Sequence, residues 1–210
     1  MTTTRRGPYA KTAGVRRRIV DAALSAFAET GYRSTTMKEI AQRAEISERG
    51  LVHHFPTKED LLLEVLALYE EESAQYMPPD AEHGQIDGLL AVARHNLERS
   101  EMLELQNLLA AEGTSRAHPA HDRFVRRYHG LRIVLTQAFE SMEADSASPS
   151  GVAPERLAAM YIGLLDGLQT QWLYDREAVD VEGSLKDFLT MVYPGVAFTP
   201  ANSHLAETAP

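Results

Sequence analysis

Hydrophobic residues recur along this chain at intervals of three and four positions, which is the spacing of an amphipathic helix. The first run contains Val15, Ile19, Ala23 and Phe27. It stops at Gly31, a residue type that tolerates the positive φ often found just after a helix. Almost the whole chain follows the same period, and the pattern therefore predicts an all-α fold.

Two short helices are predicted after this first one. Thr35 and Thr36 offer N-caps for a helix of about nine residues whose pattern lapses after Ala44. A three-residue turn then leads to Ser47, which is placed to cap another short helix through about His53. Two short helices joined by a tight turn are typical of a helix-turn-helix when a longer helix supports them.

The supporting helix is expected directly after Pro56, which ends the second short helix. Thr57 and Asp60 have the spacing of a capping box, in which two side chains satisfy free backbone N–H groups at a helix start. The pattern predicts a long helix from Lys58 to about residue 76. The first quarter of the chain is thus predicted to contain a complete helix-turn-helix.

Five further helices are predicted in the rest of the chain. They cover residues 86–99, 102–112, 124–142, 154–175 and 182–193. Pro78 and Pro79 predict a linker ahead of them, and the composition of residues 141–154 predicts a loop. The chain is therefore expected to hold about nine helices.

The charge of the chain is unevenly distributed. The whole protein carries a formal net charge of -9. Residues 1–60 nevertheless hold 11 Lys and Arg against 7 Asp and Glu, a net of +4, while the remainder holds 10 against 23, a net of -13. A basic N-terminal segment on an acidic protein is typical of a small domain that binds phosphate groups. A solvated basic tail is the alternative.

Composition narrows the class of protein further. With 210 residues, of which 44% are hydrophobic, the chain can bury a core that needs no disulfide bond or metal ion to stabilise it. It has no cysteine, so disulfides and thiolate metal sites are excluded. We find no signal-peptide pattern and no apolar run of the roughly 20 residues that a membrane helix needs. A soluble cytoplasmic protein without a membrane partner is expected.

The third helix has few residues to bury, mainly Leu51 with Ile46 and Phe55 beside it. Its other side chains are predicted to face outward on a surface that fits a major groove about 12 Å wide. The residues of this surface are Ser47, Glu48, Arg49, Gly50, Val52 and His53. Gly50 is costly within a helix, so either close approach to a sugar-phosphate backbone or a chance surface glycine explains it.

Arg49 is the only long cation on this surface. Its planar guanidinium can donate two hydrogen bonds to O6 and N7 of a guanine. The alternative is an ion pair with Glu45, four residues earlier. We favour base recognition over the ion pair.

The histidines raise the question of a metal. His53 and His54 are adjacent and therefore point about 100° apart on a helix, so they cannot easily share one ion. His118 and His121 have a better spacing, but Pro119 favours a helix start with solvated histidines. We expect no metal and no cofactor.

Residues from about 13 to 73 resemble the DNA-binding domain of the TetR family of transcriptional regulators. The matching run is "RRRIVDAALSAFAETGYRSTTMKEIAQRAEISERGLVHHFPTKEDLLLEVL". It contains the apolar first helix, "F…GY…T", "IA…A", a Ser-led recognition helix, "HF" and "KE.LL". Two positions depart from the family pattern: Glu45 replaces the usual glycine of the turn, and Val52 replaces a tyrosine that touches phosphate.

The resemblance implies which residues meet DNA. His53 is expected to face the DNA, Phe55 to pack in the core, and Lys58 to meet a phosphate. The full predicted DNA-binding set is Thr35, Thr36, Ser47, Glu48, Arg49, Gly50, Val52, His53 and Lys58. His54 is expected to be half-buried with a backbone partner, and Arg5, Arg6 and Lys11 to lie on a basic arm.

The helix predicted at residues 154–175 is apolar on two faces. One face carries bulky side chains, and the other, which is mostly small, lets a second helix approach closely. The small face consists of Ala159, Gly163, Gly167, Thr170 and Tyr174. The resemblance implies dimerisation through the last two long helices, so this face is the predicted homodimer interface; a central helix in a monomer is the alternative.

No enzyme motif is present: the chain lacks a phosphate-binding glycine loop, a Gly-x-Ser-x-Gly elbow and a His-Glu-x-x-His pair. We therefore predict no catalytic residue. The rival hypotheses are a catalytic site built from Glu101, Glu104 and Asp166, and a helical adaptor that binds other proteins.

Candidates for an effector pocket are chosen for their bulk and for the direction in which they are predicted to face. They are Met102, Leu105, Phe124, Tyr128, Tyr161, Leu165 and Trp172.

These observations predict a DNA-binding regulator with an N-terminal helix-turn-helix domain of three helices. Residues 1–12 are expected to form a flexible basic arm, 13–73 the DNA-binding domain, 74–197 a helical ligand-binding and dimerisation domain, and 198–210 a disordered tail. The predicted partners are a double-stranded DNA operator, a second copy of the chain and a small-molecule effector. The predicted activity is repression, relieved when the effector binds.

Overall fold

The computed structural model describes residues 8–75, 85–145 and 151–194, and within them it contains nine α-helices and no strand. The helices are α1 (Pro8–Thr30), α2 (Met37–Arg43), α3 (Glu48–His54), α4 (Lys58–Ala74), α5 (Gln85–Glu98), α6 (Ser100–Glu112), α7 (His121–Asp145), α8 (Pro154–Tyr174) and α9 (Val181–Val192). The predicted all-α fold is confirmed. In the described residues, no helix is both long and apolar enough to cross a membrane.

The helices form two compact units that are not contiguous in sequence. Within the described residues, the first unit joins residues 8–72 to residues 99–124, and the second joins residues 73–75 and 85–98 to residues 125–145 and 151–194. Helix α6 therefore packs with the helix-turn-helix, against the sequence-based division that placed all of residues 74–197 in one body. The division into a DNA-binding and a ligand-binding domain stays a prediction.

The core of the first unit is built on α1, which buries Ile19, Ala23, Ala26 and Phe27. Helices α3, α4 and α6 add buried leucines to it, namely Leu51, Leu61, Leu62, Leu105 and Leu109. Each fully buried side chain of this size contributes roughly 1.5–3 kcal/mol. Helices α2 and α6 pack against α1, whose predicted apolar stripe is buried.

Charged side chains connect α4 to α1 and α6 within this unit. Glu72 accepts hydrogen bonds from Arg17 at 3.1 Å and from Arg99 at 2.5 Å. Glu70, two residues earlier, pairs with Arg123 at the start of α7. These contacts help to explain why residues 99–124 belong to the first unit.

The caps predicted at Thr36, Ser47 and Thr57 are present. The Thr36 hydroxyl accepts a hydrogen bond from the Glu39 N–H at 3.2 Å, and that of Ser47 accepts one from the Gly50 N–H at 3.1 Å. Thr57 and Asp60 form a reciprocal capping box, with backbone N–H to side-chain oxygen distances of 3.1 and 3.0 Å. These bonds satisfy N–H groups that a helix start leaves without partners.

The second unit has its own core between α5, α7, α8 and α9. The Tyr161 ring of α8 lies at its centre, 6.1 Å from the Phe139 ring and 6.2 Å from the Phe188 ring. Leu185 and Leu189 of α9 are fully buried beside it. The second unit thus has a hydrophobic core of its own, as expected for a part of the chain that folds separately from the helix-turn-helix.

Two predicted non-helical segments are partly helical. Helix α1 begins at Pro8, so residues 8–12, predicted as part of a flexible arm, belong to a helix. Helix α7 continues to Asp145, so residues 141–145, predicted as loop, are helical as well. Arg5, Arg6, the Pro78–Pro79 linker and the tail at 198–210 lie outside the described residues.

The turn between α2 and α3 is strained at Glu45, which has a φ of 56°. The Glu45 N–H donates to the Gln42 carbonyl at 3.1 Å, and the Ile46 N–H donates to the Ala41 carbonyl at 3.0 Å. These two bonds form a Schellman motif, whose left-handed position is Glu45. A side chain with a Cβ is disfavoured there by roughly 1–2 kcal/mol, which explains why glycine is the usual residue in the family.

We predict that Glu45→Gly raises the free energy of unfolding by about 1 kcal/mol, because relief of left-handed strain outweighs the extra chain entropy of glycine. Denaturant unfolding measures the change. Glu45→Ala is the matched control: it removes the carboxylate but retains the Cβ and should give little gain. An equal gain in both variants would assign the effect to charge.

Candidate nucleic-acid interface

The seven residues of α3 present one buried and one exposed face. Leu51 is fully buried, while Ser47, Glu48, Arg49, Val52 and His53 are exposed. Val52 has 43% of its surface exposed, which is high for an aliphatic side chain. The exposed face is the one predicted to enter a groove.

Gly50 has a local structural role. A Cβ at this position would lie 3.2 Å from the Ser47 Oγ, the atom that caps α3 through the Gly50 N–H. That distance is tighter than ordinary van der Waals contact. The absence of a side chain at Gly50 therefore leaves room for the cap, an explanation that neither sequence-based hypothesis contained.

Arg49 is exposed and has no ion-pair partner in the part of the chain that the structure describes. The alternative ion pair with Glu45 is not formed. Other arginines of this unit are engaged: Arg16 pairs with Glu64 at 2.9 Å, and Arg43 with Glu29 at 2.7 Å. Arg49 thus keeps its hydrogen-bond donors available to an external partner.

The adjacent histidines diverge at the end of α3. His53 is exposed and His54 half-buried, and their rings meet edge to face at 5.7 Å. A backbone partner was predicted for the His54 side chain. The structure instead shows the backbone carbonyl of His54 accepting a hydrogen bond from the Arg16 guanidinium at 3.5 Å. Among the residues with described side chains, no group of three potential metal ligands is present.

His118 and His121 are held within the first unit rather than solvated. His118 is buried; its Nδ1 accepts from the Ala120 N–H at 3.2 Å, and its Nε2 lies 3.2 Å from Glu112. The His121 Nδ1 lies 2.8 Å from the Gly113 carbonyl oxygen. These contacts use the two side chains to fold the connection between α6 and α7.

Comparison with known proteins agrees with this geometry. The family model described as "Bacterial regulatory proteins, tetR family" matches residues 19–65, the segment from α1 to α4. The chain is 24% identical to the HTH-type transcriptional regulator AcrR of Shigella flexneri over 84% of this chain and 86% of AcrR. It is 25% identical to the HTH-type transcriptional repressor KstR2 of Rhodococcus jostii over 88% and 92%.

A solved structure extends the likeness over both units. GusR of Salmonella enterica superposes with a TM-score of 0.70 at 26% identity, covering 85% of this chain and 95% of GusR. Over residues 19–65 the chain therefore carries a helix-turn-helix of the TetR type. Relatives named as transcriptional regulators, which match most of its length, support a DNA-binding regulator.

Thr35, predicted to contact DNA, is instead part of the core of this TetR-family helix-turn-helix. Only 1% of its surface is exposed. Its Oγ1 lies 2.8 Å from the Gly31 carbonyl and 3.1 Å from the Ala26 carbonyl, and 2.8 Å from the Thr30 hydroxyl. Thr36 alone serves as the N-cap, so the prediction was wrong for Thr35, and Thr36 stays a predicted contact.

Lys58 also differs from its predicted role at a phosphate. Its ammonium donates to the carbonyl oxygens of Tyr32, Thr35 and Arg33 at 2.7, 2.9 and 3.2 Å. It also lies 4.6 Å from the centre of the Tyr32 ring. An ammonium has three donors, and here all three are used. Burial lowers the pKa of Lys58, as expected for an ammonium drawn into the protein.

Lys38 is a cation that the sequence analysis missed. It lies in the first turn of α2, is exposed, and has no ion-pair partner among the residues that the structure describes. Its position beside the N-terminus of α2 suits a phosphate contact. The signal available in the sequence was its place one residue after Met37, at the start of the helix.

The predicted effector-pocket residues fall into both units. Met102, Leu105 and Phe124 are buried in the first unit, whereas Tyr128, Tyr161, Leu165 and Trp172 belong to the second. The predicted set is therefore not one cluster within either unit. The rival catalytic set divides in the same way, since Glu101 and Glu104 are exposed on α6 and Asp166 lies on α8.

The small face of α8 is exposed as expected. Ala159, Gly163 and Gly167 are exposed, Tyr174 is 89% exposed, and Thr170 is partly buried. Nothing lies within 4 Å of a Cβ built on Gly163 or Gly167. The exposure of this face within a single chain is consistent with the predicted interface, which stays a prediction.

Lys58 and Lys38 give opposite predictions. Lys58→Met should lower the free energy of unfolding by about 1–2 kcal/mol, because three carbonyls lose a charged donor. It should leave the salt dependence of DNA affinity unchanged. Lys38→Met should leave stability unchanged and reduce the slope of log affinity against log salt by about 0.9 for each lost phosphate contact. Reversal of the two results would contradict both assignments.

Proposed function

We propose that this protein is a homodimeric repressor that binds a pseudo-palindromic operator through α3 and is released by a small molecule. The observation that carries the proposal is Arg49: an exposed guanidinium, without an ion-pair partner in the described residues, on the outward face of a firmly packed short helix. Each subunit would present one such helix to a half-site. The relative KstR2 is named as a transcriptional repressor, which supports repression as the direction of regulation.

Recognition would combine positioning contacts with one base contact. The sugar-phosphate backbone would be contacted by the N-termini of α2 and α3 and by the exposed side chains of Lys38 and His53. Val52 offers an exposed aliphatic group, which suits a thymine methyl in the major groove. Because the partner is chromosomal DNA, we place the protein in the cytoplasm.

Arg49→Ala should lose about 1–3 kcal/mol of binding free energy per half-site and relax the preference at one symmetric base pair. Thermal stability should not change, since Arg49 has no ion-pair partner in the described residues. Titration against the operator and its single-base variants at fixed salt measures both effects. Arg33→Ala, another exposed arginine outside α3, is the control and should not alter base preference. Equal losses for Arg49→Ala on every duplex would make Arg49 a phosphate contact.

Dimerisation is proposed to use the small face of α8, with α9 beside it. Besides the exposed glycines, this part of the second unit carries three large exposed apolar side chains: Met160, Tyr174 and Met191. Two helices from each subunit would bury these groups in a four-helix bundle. The two recognition helices would then be related by the same two-fold axis as the half-sites.

Replacing both Gly163 and Gly167 with leucine should convert the dimer to monomer or aggregate, because the leucines overpack a close helix contact. Within one chain the added side chains meet nothing within 4 Å of their Cβ atoms, so the subunit itself should remain folded. Sedimentation and circular dichroism test the two statements. Gly130→Leu on α7, also without neighbours within 4 Å, is the control. An intact dimer in the double variant would overturn the interface.

Release is proposed to follow from effector binding in the second unit. The dimer would have one conformation in which the two α3 helices fit the half-sites and another in which their separation does not fit. An effector that binds the second conformation more tightly lowers operator affinity, by at most the difference between its binding free energies for the two conformations. The recognition helix need not change. No contact or side-chain cluster in the described residues specifically favours the two rival functions, a protein-binding adaptor and an enzyme.

A further inference from the structure

Asp166 is an acidic side chain within the largely apolar helix α8. It is partly buried, and its Oδ2 accepts a hydrogen bond from the Tyr128 hydroxyl of α7 at 2.9 Å. Its neighbours on the same face of α8 include Ile162 and Leu173, four residues before and seven after. An acidic residue in such a setting needs a reason, because burial of a carboxylate is costly.

No ion pair neutralises Asp166 in the described residues, where the hydrogen bond from Tyr128 is the only one that its carboxylate accepts. Burial raises its pKa, and the Tyr128 hydrogen bond and the charge of Arg127 offset this only in part. Burial and the nearby carboxylate raise the pKa of Tyr128 to about 12, so its hydroxyl keeps its proton and remains a donor. One carboxylate oxygen thus keeps its acceptor capacity for another partner.

Gln169 gives an independent indication of a missing partner. It lies three residues after Asp166 on the same face of α8, and only 4% of its surface is exposed. Its Nε2 is buried and has no hydrogen-bond partner in the described residues. An unmade hydrogen bond of this kind costs roughly 1–3 kcal/mol, so a bound acceptor would gain that energy.

We propose that Asp166, Tyr128 and Gln169 form the recognition site for an organic ammonium ion that also carries an oxygen acceptor. The ammonium would donate to the Asp166 carboxylate, which the Tyr128 hydroxyl holds in place, and the Gln169 amide would donate to the oxygen. This inference rests on the proposed function of the second unit as the effector-binding body. It names the chemical class of effector, which that proposal left open.

The competing explanation is a structural hydrogen bond between Tyr128 and a carboxyl group without a ligand. In that case, replacing Asp166 by asparagine keeps a hydrogen-bond acceptor for Tyr128 and changes no binding property. A charge series of ligands separates the two explanations in the wild-type protein. The result does not depend on whether a variant folds.

The test uses three probes that share a phenyl ring and a hydroxyl group: 2-amino-1-phenylethanol, 1-phenylethane-1,2-diol and mandelate, which are cationic, neutral and anionic at pH 7. Calorimetric titration of the full chain should show the amine binding at least about tenfold more tightly than the diol, with no binding of mandelate. Equal binding of the diol, or no binding of the amine at about 1 mM, overturns the proposal.

Variants locate the site. Asp166→Asn should weaken amine binding by at least about tenfold and leave diol binding unchanged. Asp187→Asn is the matched control, since this exposed carboxylate lies on α9 of the same unit and should not affect either ligand. Unchanged amine binding in Asp166→Asn would contradict the assignment.

A DNA-binding assay with the same probes distinguishes this inference from the proposed function. If the amine binds through Asp166 but does not weaken operator binding, the ammonium site stands and the release mechanism fails. If a ligand releases DNA equally from wild type and Asp166→Asn, the release mechanism stands and the ammonium site fails.

Discussion

The position of α3, the proposed recognition helix, depends on the burial of two side chains, Leu51 and Phe55. Helix α3 has only seven residues, too few to persist alone in water. Leu51 is fully buried, and Phe55 is 2% exposed beneath the guanidinium of Arg16, 4.3 Å from its ring centre. Because these inner contacts hold α3 against the rest of the first unit, its outer residues are available to a partner.

Much of the helix-turn-helix could be predicted because its determinants are local. The caps at Thr36, Ser47 and Thr57 act within three residues, and the apolar period of α1 fixes its buried face. Glu45 was predictable as a point of strain for the same reason, since a turn of fixed length needs one residue at positive φ. Sequence reasoning therefore identified the elements and the outward face of α3.

The misses involve contacts between residues distant in sequence. Lys58 binds carbonyls that lie 23 to 26 residues earlier, and no local pattern distinguishes such a lysine from one that meets phosphate. Thr35 turns inward to carbonyls at the end of α1, although its neighbour Thr36 caps α2. The membership of α6 in the first unit and the pairing of Tyr128 with Asp166 likewise depend on packing that periodicity cannot specify.

Recognition of DNA by this protein is proposed to depend on two copies of α3 that bind two related half-sites. Selection of the full chain against randomised duplexes, followed by sequencing, tests this proposal. We expect enrichment of an inverted repeat whose half-site centres lie one or more helical turns apart, roughly 10 base pairs each. Enrichment of a single asymmetric site, or no enrichment over the starting pool, would contradict it.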